Sequence, residues 1–141
     1  MNVFLDSSAL AKRYIDESGS DRVDEILSGA SSLGVSILCF SEVISALCRR
    51  RREHKLSRHQ YATAKKALLA DVADASVVYV TDQVVAHAVE VLERWPVRSS
   101  DSLLVASAVE WSADLFVSAD RHQCLAATGC GLQVEELAGA R

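Results

Sequence analysis

The sequence has no C-x-x-C pair, no histidine pair at ligand spacing, a single proline and no long apolar run. Each shortage removes a class of protein. The four cysteines, Cys39, Cys48, Cys124 and Cys130, stand 9, 76 and 6 positions apart, which does not fit a structural zinc site. Cys39 and Cys48 lie in apolar stretches and read as small core residues. His54, His59, His87 and His122 make no H-x-x-x-H pattern. No segment reaches the roughly 18 uncharged apolar residues of a membrane span. The opening residues, Met1 to Asp6, lack the basic stretch and longer apolar segment of a secretion signal, so a cytoplasmic protein with reduced thiols is expected. Trp95 and Trp111 lie outside any run of exposed aromatics of the kind that stacks single strands, and are expected to pack in the core or at a dimer face. Internal repeats, linkers and low-complexity tracts are absent as well.

What is present is 50% apolar and 24% charged residues over 141 positions, with a net charge of −4. A chain of this length hides roughly 68–70% of its unfolded surface, so residues 1–141 are expected to form one compact domain. The mild net charge conceals a division. Between Arg49 and Lys66 stand eight Lys/Arg and one acid, Glu53, giving +7. The remainder holds seven bases and 18 acids, giving −11. Net charge alone therefore misleads about partners.

Short apolar runs alternate with helical patterns. Strands are expected at Val3 to Leu5, Val35 to Leu38, Val77 to Val80, Leu115 to Val117 and, at an edge, Leu132 to Val134. Helices are expected over Ala9 to Tyr14, Asp21 to Ser28, a stretch carrying Phe40, Val43, Ile44, Leu47 and Cys48, Arg58 to Val72, a segment ending at Trp95 before Pro96, Ser100 to Trp111, and a short one closed by Gly129. This alternation predicts an α/β fold: a three-layer α/β/α sandwich around a parallel sheet of four or five short strands.

In such sheets ligands bind outside the carboxyl ends of the strands. Asp6 follows the first strand and Asp120 follows the Leu115 strand, while Glu42 and Asp101 fall in first helical turns. Acids there also serve as helix caps, and Asp82 after Thr81 keeps that plain role. If the first strand is central, the other four carboxylates share one cleft. Unit charges about 4 Å apart repel by roughly 4 kcal/mol at an effective dielectric of 20, so protons or a cation must neutralise them. Oxygen-only ligands select a hard ion, Mg²⁺ or Mn²⁺.

These residues resemble the PIN-domain ribonucleases, and more narrowly the VapC-type toxins of bacterial toxin–antitoxin pairs. Val3-Phe4-Leu5-Asp6-Ser7-Ser8 matches the family's first motif, Ser41-Glu42-Val43 the second, Asp101-Ser102-Leu103-Leu104 the third and Phe116-Val117-Ser118-Ala119-Asp120 the fourth. Ser102 stands where Ala is more usual. The resemblance runs from about Asn2 to Val134. It implies a PIN-like fold and a metal core of Asp6, Glu42 and Asp101, with Asp120 binding directly or through water, and these four acids as the catalytic set. Ser7 and Ser118 would be polar support. Mg²⁺ or Mn²⁺ would activate water for RNA hydrolysis, leaving 5′-phosphate and 3′-hydroxyl ends, with Asp6 or Asp101 as proton acceptor. A VapB-like antitoxin and a second copy of the chain are the implied protein partners.

The run Arg49, Arg50, Arg51 and Arg52 surrounds the end of the Glu42 helix and is a candidate for RNA phosphates or for the helix terminus. Lys12 and Arg13, close to Asp6 in sequence, are weaker phosphate candidates. A PIN nuclease of general RNA processing and a non-catalytic RNA-binding module are the alternatives. Phosphoryl transfer fits poorly, because Ser8 stands where a dehalogenase-like Asp-x-Asp motif needs its second acid.

Overall fold

The computed structural model describes residues 1–138. Within them the chain forms β1 (Asn2–Leu5), α1 (Ser7–Ala11), α2 (Ser20–Ser28), β2 (Ser32–Ser36), α3 (Leu38–Arg52), α4 (Arg58–Asp74), β3 (Ser76–Val78), α5 (Asp82–Arg94), α6 (Ser99–Glu110), β4 (Leu115–Ser118), α7 (Arg121–Gly129) and β5 (Val134–Glu136). The strands pair in one all-parallel sheet with the order β3-β2-β1-β4-β5. The chain thus builds outward from β1 on one side, then crosses back to lay β4 against the other side of β1. That reversal leaves a crevice at the carboxyl ends of β1 and β4.

Period-two alternation along β1 and β4 divides the core between the two sheet faces. Val3, Leu5 and Val117 pack with Leu10, Val23, Val43, Leu47 and Leu68 from α1 to α4. Phe4 and Phe116 face the other way and pack with Val91, Val105, Ala108, Ala126 and Ala127 from α5 to α7. Their rings stack with centroids 6.0 Å apart and planes 11° from parallel. The result is the expected three-layer arrangement with a five-stranded parallel sheet. Among the described residues no helix is long and apolar enough to cross a membrane.

Several boundaries moved. Strand β2 is Ser32–Ser36 rather than Val35 to Leu38, because Asn2, Val3 and Phe4 pair with Ser32, Leu33 and Gly34. Helix α3 therefore starts at Leu38, burying Cys39, Val43 and Leu47 four residues apart, and Glu42 falls in its second turn rather than its first. Helix α1 begins at Ser7 and ends at Ala11, where the amides of Lys12, Arg13 and Tyr14 tighten onto carbonyls three residues back. β3 and β5 are Ser76–Val78 and Val134–Glu136, displaced from the expected stretches, and Tyr79 is left well exposed beyond the ladder. Ser57 and Gln60 close a reciprocal cap on α4, and Thr81 caps α5.

Both tryptophans end helices and pack inward. Trp95 covers Gly129, and Trp111 lies on Gly34 with its ring centroid 6.2 Å from that of Phe4. A β-carbon at Gly34 would come within 2.6 Å of the Trp111 ring. Gly34 in β2 therefore seats the end of α6, the helix that carries Asp101. Gly34→Ala is expected to cost roughly 1–3 kcal/mol, the usual penalty for overpacking, read as a lower midpoint in urea unfolding. An unchanged midpoint would show that Trp111 is free to step aside.

Candidate active site

Asp6 is the fixed point of the crevice. It follows β1, is fully buried, and caps α1 by accepting from the Ala9 amide at 2.8 Å. The Ser8 hydroxyl lies 2.8 and 2.9 Å from its two carboxylate oxygens, and the Ser118 hydroxyl donates to Oδ2 at 2.5 Å. Burial pushes the Asp6 carboxyl up to about 6, against the pull of those donors, and repulsion from Asp120 adds to the rise. Ser118 also accepts from the Asp120 amide at 2.9 Å, and Ser8 accepts from the Ala119 amide at 3.0 Å. Two hydroxyls thus tie the ends of β1 and β4 together around one carboxylate.

Asp120 caps α7 through the amides of His122 and Gln123, at 2.9 and 3.1 Å. Asp6 and Asp120, both expected at the site, thus also cap helices. Asp101 is mostly buried in the first turn of α6, and its carboxyl is raised by burial and by Asp120, with Arg98 opposing at 3.6 Å. Glu42 joins from α3, accepting a hydrogen bond from Ser7. Ser7 also reaches Cys39, whose thiol burial pushes up to about 12.

Two residues that the sequence reading passed over belong to this site. Ser8 holds Asp6 directly. Gln123 donates from Nε2 to Asp101 Oδ1 at 3.1 Å, while its Oε1 is buried without a hydrogen-bond partner. Leaving such an acceptor unpaired costs about 1–3 kcal/mol. The spacing Asp120-x-x-Gln123 at a helix start was the available signal, since it matches the outline of a capping box.

The basic candidates part company. Arg49 is exposed and carries no ion pair among the described residues. Arg50 is held by Glu17 at 2.8 Å, Arg51 lies over the Tyr61 ring at 5.0 Å, and Arg52 is exposed. Lys12 departs most from expectation. It is buried, and its ammonium donates to the Ser18 carbonyl at 2.6 Å and to Glu17 at 3.3 Å, which withdraws it from phosphate contact. Arg13 is likewise turned to structure, pairing with Asp71 at 3.1 Å and Asp24 at 3.3 Å. His122 is exposed.

Among the described residues no three His, Cys, Asp or Glu side chains are gathered closely enough to grip a metal ion. The acids share the crevice without closing into a ligand set, and serine hydroxyls occupy the oxygens of Asp6. The donor chemistry still fits a hard divalent cation. The donors are all oxygen, Asp120 repels both Asp6 and Asp101, and the buried Gln123 carbonyl beside Asp101 lacks a donor.

A buried carboxylate at the reversal point of a parallel sheet, with further acids on the flanking helices, defines an α/β protein with acidic side chains at its switch point. The chain belongs to the PIN-domain family, whose model matches residues 3–128. No curated protein sequence matches it. Solved structures of the same fold include VapBC-1 from nontypeable Haemophilus influenzae, 16% identical with a TM-score of 0.69 over 96% of this chain and 98% of that one. VapBC2 from Rickettsia felis, bound to a DNA fragment from its promoter, is 11% identical with a TM-score of 0.68 over 97% and 99%. VapC20 from Mycobacterium tuberculosis, a sarcin-ricin loop cleaving toxin, is 17% identical with a TM-score of 0.63 over 81% and 86%.

Proposed function

We propose that this protein is a metal-dependent endoribonuclease and the toxin of a type II toxin–antitoxin pair, cutting RNA to leave 5′-phosphate and 3′-hydroxyl ends. The observation that carries the reading is that Asp6 and Asp101, from distant parts of the chain, both lie near enough to Asp120 to be repelled by it, at the switch point of a PIN fold. Asp6, Glu42 and Asp101 would hold Mg²⁺ or Mn²⁺, with Asp120 binding directly or through water. When bound, the ion supplies an acidified water and charge stabilisation for the phosphate oxygens. Asp6 or Asp101 would take the proton from the attacking water. Ser8 and Ser118 keep the Asp6 oxygens oriented. The solved VapBC pairs support a VapB-like antitoxin as partner; it would cover the crevice, and a homodimer is the expected assembly.

Incubating the purified chain with RNA and Mg²⁺ or Mn²⁺, then mapping the ends, tests this directly. The expected 3′ fragments ligate through their 5′-phosphates without prior phosphorylation. Cyclic phosphate ends, or intact RNA in the presence of both ions, would overturn the reading.

Substrate grip is assigned to a groove whose lining includes Ser8, Ala119, Arg49 and Lys55. Single-stranded RNA contacts change the salt slope by about 0.7 each. The double variant Arg49→Ala, Lys55→Ala is expected to flatten the slope by about 1.4, whereas Arg52→Ala, outside the groove, leaves it unchanged. Equal effects from both variants would return the whole run to diffuse electrostatics.

A further inference from the structure

Gln123 is in an uncommon position for a glutamine. It is 4% exposed, in the first turn of α7, with buried Cys124, Ala126 and Ala127 following it. An apolar side chain would fill this position without burying a polar group. The glutamine instead touches two of the site acids at once. Its backbone amide donates to Asp120 Oδ1 at 3.1 Å, and its side-chain Nε2 donates to Asp101 Oδ1 at 3.1 Å. Those two carboxylates repel each other. One residue therefore fixes both at a set separation.

The other end of the same amide is the second observation. Oε1 is buried and has no donor among the described residues. Turning the amide over would not satisfy Oε1, because it would then face the ionised carboxylate of Asp101, acceptor against acceptor. The donor must come from outside the fold. Water is the donor that a small hard cation brings into an acid pocket, because Mg²⁺ keeps several of its waters when one or two carboxylates bind it.

We propose that Gln123 is a positioning residue for the cation: its side-chain N–H orients Asp101, and its buried carbonyl oxygen accepts from a water that the cation holds. This rests on the cation-dependent reading above and adds to it an outer-shell residue. Such residues typically change metal affinity 10–100-fold. They also leave a trace in the metal-free protein, because here the amide is only half satisfied.

The test is Mn²⁺ titration by calorimetry, with thermal melts of the metal-free chain, on wild type, Gln123→Met and Gln123→Asn. Methionine keeps length and apolar bulk. Asparagine keeps the amide but shortens its reach, and serves alone if the methionine variant does not fold. The expected result is Mn²⁺ binding weakened 10–100-fold in both, with the metal-free melting temperature of Gln123→Met equal to or above that of wild type. Wild-type affinity in the variants would overturn the inference while leaving the cation-dependent reading intact. Weaker binding accompanied by a drop of many degrees in the metal-free melt would also overturn it, by making Gln123 a fold residue. Absence of Mn²⁺ binding by wild type would overturn both readings.

Discussion

Asp6→Asn is expected to lower RNA cleavage by about 10²–10⁴-fold, the range for loss of a general base, without unfolding the protein. The stability side of this prediction has an unusual sign. The Asp6 carboxyl rises from 3.8 to about 6 on folding, so between those values the folded state binds more protons than the unfolded state. Stability therefore falls as pH rises from about 4 to about 6, and the deficit is complete above 6. At neutral pH it amounts to roughly 3 kcal/mol at most. Asparagine carries no charge to desolvate. It keeps a carbonyl oxygen for the Ala9 amide, which capped α1 in the wild type. Metal-free Asp6→Asn should accordingly melt at or above wild type at pH 7.5, and the two should converge near pH 4. A variant that fails to cleave because it melts many degrees lower would contradict this account. Full cleavage, or growth arrest on expression of the variant, would remove Asp6 from the chemistry.

Such a cost is intelligible only from the three-dimensional site, yet much of the site was visible in the sequence. Asp6 and Asp120 could be placed because each directly follows a short apolar run, and strand ends in a parallel α/β sheet have one destination. Asp101 could be placed because Ser99-Ser100-Asp101 opens a helix. Glu42 was assigned to the right helix but a turn early. The Ile37-Leu38-Cys39 run looks like strand on composition, while pairing with β1 makes Ser32 to Ser36 the strand. Local apolar character could not decide between them.

The omissions share a cause. Lys12 is buried because the chain from Lys12 to Ser18 doubles back and offers the ammonium a carbonyl and Glu17. Arg13 is paired with Asp71, 58 positions away. Neither closure has a local signature. Gln123 had one, since its spacing from Asp120 suggests a side chain folding back on its own cap. The backbone amide does that work instead, and the side chain crosses to Asp101 on α6. That spacing could have drawn attention to the residue but not to its direction, which depends on how α6 and α7 lie together.

The second large effect concerns the ion. Mn²⁺ at a hundredfold excess over its dissociation constant is expected to stabilise the folded chain by about 2.7 kcal/mol, a rise of roughly 8–10 °C in melting temperature. The effect should depend steeply on pH, because carboxylates bind metal only when deprotonated. Asp6, raised to about 6, holds a proton in this range that the ion must displace, and Asp101 is raised in the same direction by burial and Asp120. Below pH 6 each further unit of acid should remove up to about 1.4 kcal/mol of the stabilisation for every proton displaced. Most of the shift seen at pH 7.5 should therefore be gone at pH 5. Calorimetry near pH 6 in buffers of different ionisation enthalpy should register proton release on binding. Asp6→Asn should lose both the thermal shift and the released proton. A shift that is equal at pH 5 and pH 7.5 would place the ion away from these carboxylates. No shift at millimolar Mn²⁺ would leave the charge of the crevice to be balanced by protons alone.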